Sequence, residues 1–407
     1  MPHKSNCGKI LRYELHDAVR CGALCTISSG EKKDVNYSLI EQNDQLVTVC
    51  HQASQHTAVA LDTEFVRIRT YYPQLGLIQL FDGEQLALID PLNISDWTPF
   101  ISLLKDKQVK KLLHAGGEDL EVFLHRFGVL PQPMIDTQIL AAFSGQTVSW
   151  GFAAMVAHFT QKILDKSEAR TNWLSRPLTQ RQCDYAAADV HYLLPIARQL
   201  IVMTEEVGNM DAALSECEIL CQRRLDVLQS QEAWRYVTNA WQLRPRQLAA
   251  LQLLAEWRLN LAREKDIALN FAVREENLWK VARFLPQSIS ELNHLGLSSH
   301  EICFHGKTLL SLVDKARSLS ESVLPPLLEN LVDHPHYKKV FKAIKDLLRQ
   351  VSQETGYSHE LLASRRQINQ VLSHHWGLKP QTRIPELLAG WRGDLFKARI
   401  EAILTKF

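Results

Sequence analysis

The chain has 407 residues, of which 46% are hydrophobic and 22% are charged, and its formal net charge is +1. This length exceeds that of a usual single domain, and the composition is typical of an ordinary globular protein, which excludes a disordered or fibrous chain. No apolar run approaches the roughly 20 residues of a membrane span, and the N-terminus lacks the features of a signal peptide.

The small net charge hides an uneven distribution along the chain. Residues 221–407 carry 27 Lys and Arg against 19 Asp and Glu, a net +8, whereas residues 1–220 carry 19 against 26, a net −7. An acidic first part and a basic second part suit a carboxylate-built site joined to a module that attracts phosphates, although charged runs commonly only solvate a surface. The eight cysteines form no C-x-x-C pair, so we expect no disulfide framework and a cytoplasmic location.

The first predicted elements are three short strands, "TAVALDTEFV", "LGLIQLFDG" and "QLALIDPL", which are separated by Pro or Gly. "WTPFISLLKD" then predicts a helix, "VKKLLHAGG" a further strand, and "EDLEVFLHRFG" a helix that ends at Gly128. After "MIDTQILAAF" the periodicity is helical, through "SWGFAAMVAHF" to "LTQRQCDYAAADVHYLLPIARQLIVM". This order predicts an α/β domain whose sheet opens with a meander of three strands.

The rest of the chain, from about Leu200, is helical by periodicity and is interrupted by prolines. Two segments, one beginning near "RQLAALQLLAEW" and the other near "YKKVFKAIKDLL", each have about the length of a small helical bundle. "SLSESVLPPLLENLVDHP" lies between them and is the predicted linker. We therefore expect two all-α units after the α/β domain.

Two carboxylates, Asp62 and Glu64, lie near the end of the first predicted strand. Side chains alternate along a strand, so both acids point to one face, whereas Thr63 and Phe65 point to the other. Two acids this close repel each other, and burying either without a partner is costly. The pair indicates either a strand that has reached solvent or half of a metal site.

Two later features supply further acids. Asp119 follows "LLHAGG", where a strand ends and a helix begins, a position at which an acid often serves only as a helix cap. Tyr185 and Asp189 in "CDYAAADVHYLL" are four residues apart and therefore share one face of a helix. His191 lies two residues beyond Asp189 and points away from that face, so we do not expect it to be a general base.

These motifs resemble those of the DEDD superfamily of 3′–5′ exonucleases: Asp-x-Glu on a first strand, an Asp that opens a helix, and Tyr-x-x-x-Asp on a late helix. The tyrosine marks the tyrosine subclass, since the histidine subclass would have His one residue earlier, where this chain has Asp184. The strings "ALDTEFVRIRTYYPQLGLIQLFDG", "LLHAGGEDLEVF", "IDTQIL" and "WLSRPLTQRQCDYAAADVHYLLPIA" are similar to the ribonuclease D family in particular.

The resemblance implies a fold class and a division of the chain. The expected fold is a ribonuclease H-like 3′–5′ exonuclease domain of α/β class with a mixed sheet, followed by two small helical bundles. The first bundle resembles a helicase-and-RNase-D C-terminal (HRDC) domain, and the second is HRDC-like. The expected segments are an N-terminal extension that we expect to be disordered (1–35), the exonuclease domain (36–205), a helical connector (206–243), the HRDC domain (244–322) and the HRDC-like domain (323–407).

The resemblance also implies the site residues. The expected catalytic set is Asp62, Glu64, Asp119, Tyr185 and Asp189. Its four carboxylates offer only oxygen ligands and so suit two divalent cations, Mg²⁺ or Mn²⁺, which promote phosphodiester hydrolysis while the tyrosine orients the attacking water. Contacts to nucleic acid are expected from four further residues, for which packing or ordinary hydrogen bonding is the alternative role: Thr63, Phe65, Gln79 and His114.

The implied function is a metal-dependent 3′–5′ exoribonuclease that trims the 3′ ends of tRNA precursors and other structured RNAs and releases 5′-mononucleotides. The expected partner is RNA with a 3′ extension, without a membrane or an obligate protein partner. Two alternatives stay open, namely a 3′–5′ DNA exonuclease of the same superfamily and a non-catalytic RNA-binding scaffold. Digestion of matched RNA and DNA strands distinguishes an exoribonuclease from a DNA exonuclease. A metal titration distinguishes an enzyme from a non-catalytic scaffold.

Overall fold

A computed structural model describes residues 35–378 and 383–407. The predicted N-terminal extension therefore lies outside the described residues, apart from Val35. Among the residues that are described, no helix is both long and apolar enough to cross a membrane. The described cysteines, which begin at Cys50, are all free.

Six strands form one mixed sheet within residues 35–136 of the described chain. They are β1 (Ser38–Ile40), β2 (Ala58–Val66), β3 (Gln74–Phe81), β4 (Leu86–Ile89), β5 (Lys110–Leu113) and β6 (Met134–Asp136). The strand order is β1-β4-β3-β2-β5-β6, with β2–β3 and β3–β4 antiparallel and the remaining pairs parallel. The predicted meander is confirmed as β2, β3 and β4. We did not predict β1 and β6, because three residues are too few to show a period of two.

Helices cover both faces of this sheet. They are α1 (Asn43–Ala53), α2 (Thr98–Lys105), α3 (Gly117–Phe127), α4 (Thr137–Phe143), α5 (Phe152–Thr160), α6 (Gln180–Glu206) and α7 (Met210–Leu225). The long helix α6 begins with a capping box, in which the Thr179 side chain accepts a hydrogen bond from the Gln182 backbone N–H and Gln182 bonds back. Helix α3 ends at Gly128, whose φ of 70° is the left-handed conformation that glycine adopts without strain.

Alternation along β2 sends successive side chains into two separate cores. Val59 and Leu61 are buried with residues of α1, α2 and α3, whereas Ala60 is buried with Leu88 and the apolar face of α6. The face that carries Ala60 also carries Asp62 and Glu64 further along the strand. The fold therefore directs the two acids towards α6.

The second part of the chain is helical, as the periodicity predicted. Its helices are α8 (Pro245–Lys265), α9 (Leu269–Ala272), α10 (Glu275–Phe284), α11 (Ile289–His294), α12 (Ser299–Ser318), α13 (Tyr337–Thr355), α14 (His359–Leu362), α15 (Arg365–His375) and α16 (Gly390–Leu404). Helices α8, α10 and α12 share a core of their own, which also buries Trp234. The segment between α12 and α13 contains only two short 3-10 turns, in keeping with the predicted linker.

The C-terminal bundle, α13 to α16, packs against the exonuclease core instead of forming a core of its own. The Phe143 ring, at the end of α4, lies 5.0 Å from Trp391 and 5.8 Å from Tyr357 between ring centroids. The buried guanidinium of Arg392 in α16 forms an ion pair with Glu216 in α7. This bundle thus shares an apolar core with the sheet domain.

Candidate active site

Three carboxylates meet at the face of β2 that packs against α6. One carboxylate oxygen from each of Asp62, Glu64 and Asp189 lies within 4.8 Å of the others. The first two side chains come from β2 and the third from the first half of α6, so residues more than 120 positions apart form one cluster. Helix packing on the strand face, which the sequence could not specify, brings them together.

Asp119 lies near this cluster but is held by other contacts. It is buried in the first turn of α3, and its carboxylate accepts hydrogen bonds from the Thr63 backbone N–H (3.1 Å) and from the Thr63 hydroxyl. Thr63 faces α3 because it lies on the opposite side of β2 from Asp62. The Thr63 hydroxyl thus links α3, which carries Asp119, to β2, which carries Asp62 and Glu64. No pattern in the sequence indicates this role, and the expected contact of Thr63 with RNA stays a prediction.

The cluster is electrostatically unfavourable without cations. Burial raises the pKa of Glu64 to about 9, with Asp189 and Asp119 adding to the effect. Burial raises the pKa of Asp189 to about 7 and that of Asp119 to about 6. A hydrogen bond from Tyr185 to Asp189, and hydrogen bonds from Thr63 to Asp119, lower these two pKa values in part. The pKa of Asp62 is also raised, first by burial and then by the surrounding acids. The site therefore favours either protons or positive ions.

A divalent cation fits this donor set. The ligands are all carboxylate oxygens, which are the donors that Mg²⁺ and Mn²⁺ prefer, and no Cys or His joins the cluster within the described part of the chain. A cation would offset the mutual repulsion that raises these pKa values, because the charged form of each acid is then favoured. The raised pKa values and the ligand type thus point to the same kind of occupant.

Tyr185 lies beside the cluster on the same helix as Asp189. Burial raises the pKa of its hydroxyl well above the usual value, and the charges of Asp189, Glu64 and Asp62 raise it further. The ring lies 6.1 Å from that of Trp173, which is buried against the backbone of Gly76. A Cβ at Gly76 would come within 2.7 Å of the Trp173 carbonyl oxygen, so only glycine permits this packing. Trp173 thus helps to fix Tyr185, a role that sequence analysis missed.

The remaining predicted contacts occupy different positions around the cluster. Gln79 is opposite Asp62 in the β2–β3 ladder, and both polar atoms of its buried side chain lack a hydrogen-bond partner among the described residues. His114 follows β5, its Nδ1 lies 2.9 Å from the Thr137 hydroxyl, and burial lowers its pKa. Phe65 follows a bulge in β2 and is half-buried. Contacts of these side chains with RNA stay predictions.

Two side chains outside the predicted set of site residues support the site. Asp136 accepts hydrogen bonds from the backbone N–H groups of Ala115 (3.1 Å) and Gly116 (2.9 Å), and so fixes the turn that leads into α3. Arg176 pairs with Asp90 and also donates to the Gly76 carbonyl oxygen at 2.7 Å. This arginine therefore holds the segment that carries Trp173.

The loop that follows β2 joins the site to the first helical bundle. The Tyr72 ring stacks on His125 of α3 at 4.0 Å, and the Tyr72 backbone N–H donates to the Asp266 carboxylate at 2.9 Å. The backbone N–H of Ala268 donates to the carbonyl oxygen of Arg69 at 2.8 Å. The turn between α8 and α9 thus contacts the loop a few residues beyond Glu64.

Comparisons with known proteins agree with this architecture. Residues 37–205 match a family model described as 3′–5′ exonuclease, residues 247–313 match the HRDC domain, and residues 335–400 match the C-terminal HRDC domain of ribonuclease D. Ribonuclease D of Escherichia coli strain K12 is 60% identical over 92% of this chain and 100% of its own length. Ribonuclease D of Serratia proteamaculans is 62% identical over the same shares. The crystal structure of the E. coli protein superposes with a TM-score of 0.90 and covers 91% of this chain and 99% of that one.

The sheet is mixed, an acidic cluster lies between its central strand and a packed helix, and the family model matches. Together these features define a 3′–5′ exonuclease, which is a divalent-metal-dependent class of enzyme. The chain belongs to the ribonuclease D family, and its enzymatic class is that of a hydrolytic 3′–5′ exoribonuclease. The expected fold class and the expected 3′–5′ exoribonuclease activity are therefore confirmed. The boundaries that we assigned to the five segments stay predictions.

Proposed function

We propose that this exoribonuclease trims the 3′ ends of tRNA precursors and other structured RNAs and releases 5′-mononucleotides. The proposal assigns two divalent cations, Mg²⁺ or Mn²⁺, to four ligands: Asp62, Glu64, Asp119 and Asp189. The observation that carries it is the convergence of three of these carboxylates within 4.8 Å. Bound cations supply positive charge to the scissile phosphate and lower the pKa of the attacking water.

The side chains of the chain itself then perform distinct tasks. Tyr185 stays protonated at neutral pH because its pKa is raised, so it cannot serve as a general base. Its hydroxyl can instead donate a hydrogen bond to Asp189 and position the attacking water. Thr63 keeps Asp119 in place through two hydrogen bonds. These roles leave no need for a histidine, and the His191 ring packs at 5.7 Å from Phe81, outside the carboxylate cluster.

The choice of structured RNA rests on the second part of the chain. The E. coli relative is an exoribonuclease involved in structured RNA processing. In this chain, residues 221–407 carry a net charge of +8, and such a charge attracts the phosphates of an RNA body wherever the 3′ end is bound. Within structured RNAs, we propose tRNA precursors as the substrate.

The test is to incubate the purified chain with a tRNA precursor that has a 3′ extension and to sequence the 3′ ends over time. We expect stepwise loss of the extension, release of 5′-mononucleotides, and a stop near the paired acceptor stem. A DNA strand of the same sequence serves as the matched control. Preference for DNA, or endonucleolytic products, would contradict the proposal.

Replacement of Tyr185 by phenylalanine is expected to lower kcat about 10²-fold, because the attacking water loses a positioned hydrogen-bond partner. The KM and the affinity for Mn²⁺ should change little, since all four carboxylates remain. Steady-state kinetics and a Mn²⁺ titration measure these quantities. Tyr192→Phe on the same helix is the control, because its ring packs against His191 and Lys162. Wild-type kcat in Tyr185→Phe would refute the assigned role.

A further inference from the structure

Gln79 on β3 is a completely buried amide next to the carboxylate cluster. Its exposed fraction is 0%, and neither its Oε1 nor its Nε2 has a hydrogen-bond partner among the described residues. Burying an amide without a partner costs free energy, and for this reason most buried side-chain amides in folded proteins are hydrogen-bonded. We therefore expect Gln79 to have a partner within reach of its position in the sheet.

The β2–β3 ladder places Gln79 directly opposite Asp62. Three cross-strand pairs lie on the face of the sheet that packs against α6: Ala60 with Phe81, Asp62 with Gln79, and Glu64 with Leu77. On its other side, Gln79 is paired with Leu88 of β4, which is buried in the same apolar core as Leu77. Among the described strands, Asp62 is thus the one polar neighbour of Gln79 on this face.

Asp62 is also the acid of this pair that can accept a further hydrogen bond. Asp119 accepts one from the Thr63 hydroxyl, and Asp189 accepts one from Tyr185. Asp62 accepts a hydrogen bond from the Thr63 backbone N–H, but no side chain within the described ranges donates to it. An ionised carboxylate has about four acceptor positions, so Asp62 can bind a cation and still accept from a neighbouring amide.

The two side chains are close enough for this contact. Residues directly opposite each other in an antiparallel pair have Cβ atoms about 4.5–5.5 Å apart. The amide carbon of Gln79 lies two bonds beyond its Cβ, and the carboxyl carbon of Asp62 lies one bond beyond its own. Rotation about the side-chain torsions of Gln79 therefore brings its Nε2 to an Asp62 oxygen without a change in the backbone.

We propose that Gln79 is a positioning residue of the hydrolytic site, whose amide N–H donates to the Asp62 carboxylate and fixes the direction in which this acid presents its oxygen to a cation. The inference rests on the proposed function, since it acts through a metal ligand that is assigned there. Hydrogen bonds that orient metal ligands commonly contribute about 10- to 100-fold to metal affinity or activity. This role is an alternative to the contact with RNA predicted from the sequence, and the two roles differ in their effects on Mn²⁺ binding and on KM.

The test compares Gln79→Met, which keeps the length of the side chain but removes the amide, with the wild type. The measurements are Mn²⁺ binding by calorimetry, kcat and KM on a strand of five nucleotides, and the melting temperature in EDTA. Leu88→Met is the matched control, because it alters the packing on the other side of Gln79 and leaves the amide in place. Gln79→Leu is a second variant without the amide and takes the place of Gln79→Met if that protein does not fold.

We expect Gln79→Met to bind Mn²⁺ about tenfold more weakly and to lose about tenfold in kcat, with KM unchanged. Its melting temperature in EDTA should equal or exceed that of the wild type, because the substitution removes a buried amide that has no partner. In an Asp62→Asn background the same substitution should cause no further loss of Mn²⁺ affinity, since Gln79 acts through Asp62. Leu88→Met should match the wild type in all these measurements.

Wild-type Mn²⁺ affinity and kcat in Gln79→Met would overturn the proposal. An increase in KM alone would also overturn it and would indicate a contact with RNA, and an equal loss in Leu88→Met would overturn it in favour of packing. A different result would contradict the proposed function instead, namely a wild type that binds no Mn²⁺, or an Asp62→Asn variant that binds Mn²⁺ as tightly as the wild type.

Discussion

Replacement of Asp189 by asparagine, or of Glu64 by alanine, is expected to lower the exoribonuclease kcat by about 10³-fold or more. Each change removes one of three carboxylates whose oxygens lie within 4.8 Å of one another. A ligand change in a metal site reduces transition-state stabilisation by several kcal/mol, and about 1.4 kcal/mol corresponds to a tenfold change in rate. The measurement is single-turnover hydrolysis of a labelled RNA in Mg²⁺ and in Mn²⁺.

Asp184→Asn is the matched control for this loss. Asp184 lies on the same helix as Asp189, but its carboxylate accepts a hydrogen bond from Gln180 at 2.8 Å and does not belong to the cluster. We expect this variant to retain nearly the full rate and a melting temperature equal to that of the wild type. If Asp189→Asn kept more than a tenth of the wild-type rate at saturating Mg²⁺, the assignment of this carboxylate as a metal ligand would be wrong.

In EDTA at pH 8, Asp62→Asn is expected to be more stable than the wild type by about 1–2 kcal/mol, although it should be inactive. The reason lies in the raised pKa values of the cluster. An acid whose pKa is higher in the folded protein stabilises the fold at low pH and loses that contribution as the pH rises from its unfolded value of about 4 towards its folded value. For Asp189 and Glu64 the folded values are about 7 and about 9. Amide replacement of Asp62 removes one acid whose ionised form is disfavoured by burial and by the neighbouring carboxylates.

Thermal or denaturant unfolding between pH 5 and pH 9 measures this effect. The difference between variant and wild type should be small at about pH 5, where the cluster is largely protonated, and should grow with pH. Addition of Mn²⁺ should stabilise the wild type more than the variant, because the cation binds only the folded site. Glu84→Gln, an exposed acid in the β3–β4 turn, controls for the general loss of a negative charge. A less stable Asp62→Asn protein at pH 8 in EDTA would refute this electrostatic account.

Local sequence signals predicted most of the fold. The alternation in "TAVALDTEFV" and the turn residues that follow it predicted the meander, and helical periodicity predicted the two bundles. Short elements were not predicted, because their sequence signals extend over too few residues. We predicted no element at Met134–Asp136, yet it pairs with β5 as strand β6. Pairing with a neighbouring strand decided its structure, and such pairing is not visible in a segment of three residues.

The same distinction between local sequence signals and tertiary contacts applies to the site. The spacing of Tyr185 and Asp189 placed them on one helix face, and the spacing of Asp62 and Glu64 placed them on one strand face, since both rules depend only on backbone geometry. The partners of these residues were not predictable. The hydrogen bonds from Thr63 to Asp119, the packing of Trp173 on Gly76, and the ion pair between Arg176 and Asp90 all join segments distant in sequence. Their formation depends on how the elements pack.

The sequence by itself determined the class of fold and the enzymatic class, and it predicted the acidic residues of the site, because these follow from periodicity, residue type and resemblance to a family. Only the tertiary structure decided that three carboxylates converge while the fourth is held by Thr63, and that the C-terminal bundle shares the exonuclease core. The physical reason is that burial, mutual repulsion and packing depend on distances between elements. Those distances exist only once the helices have packed on the sheet.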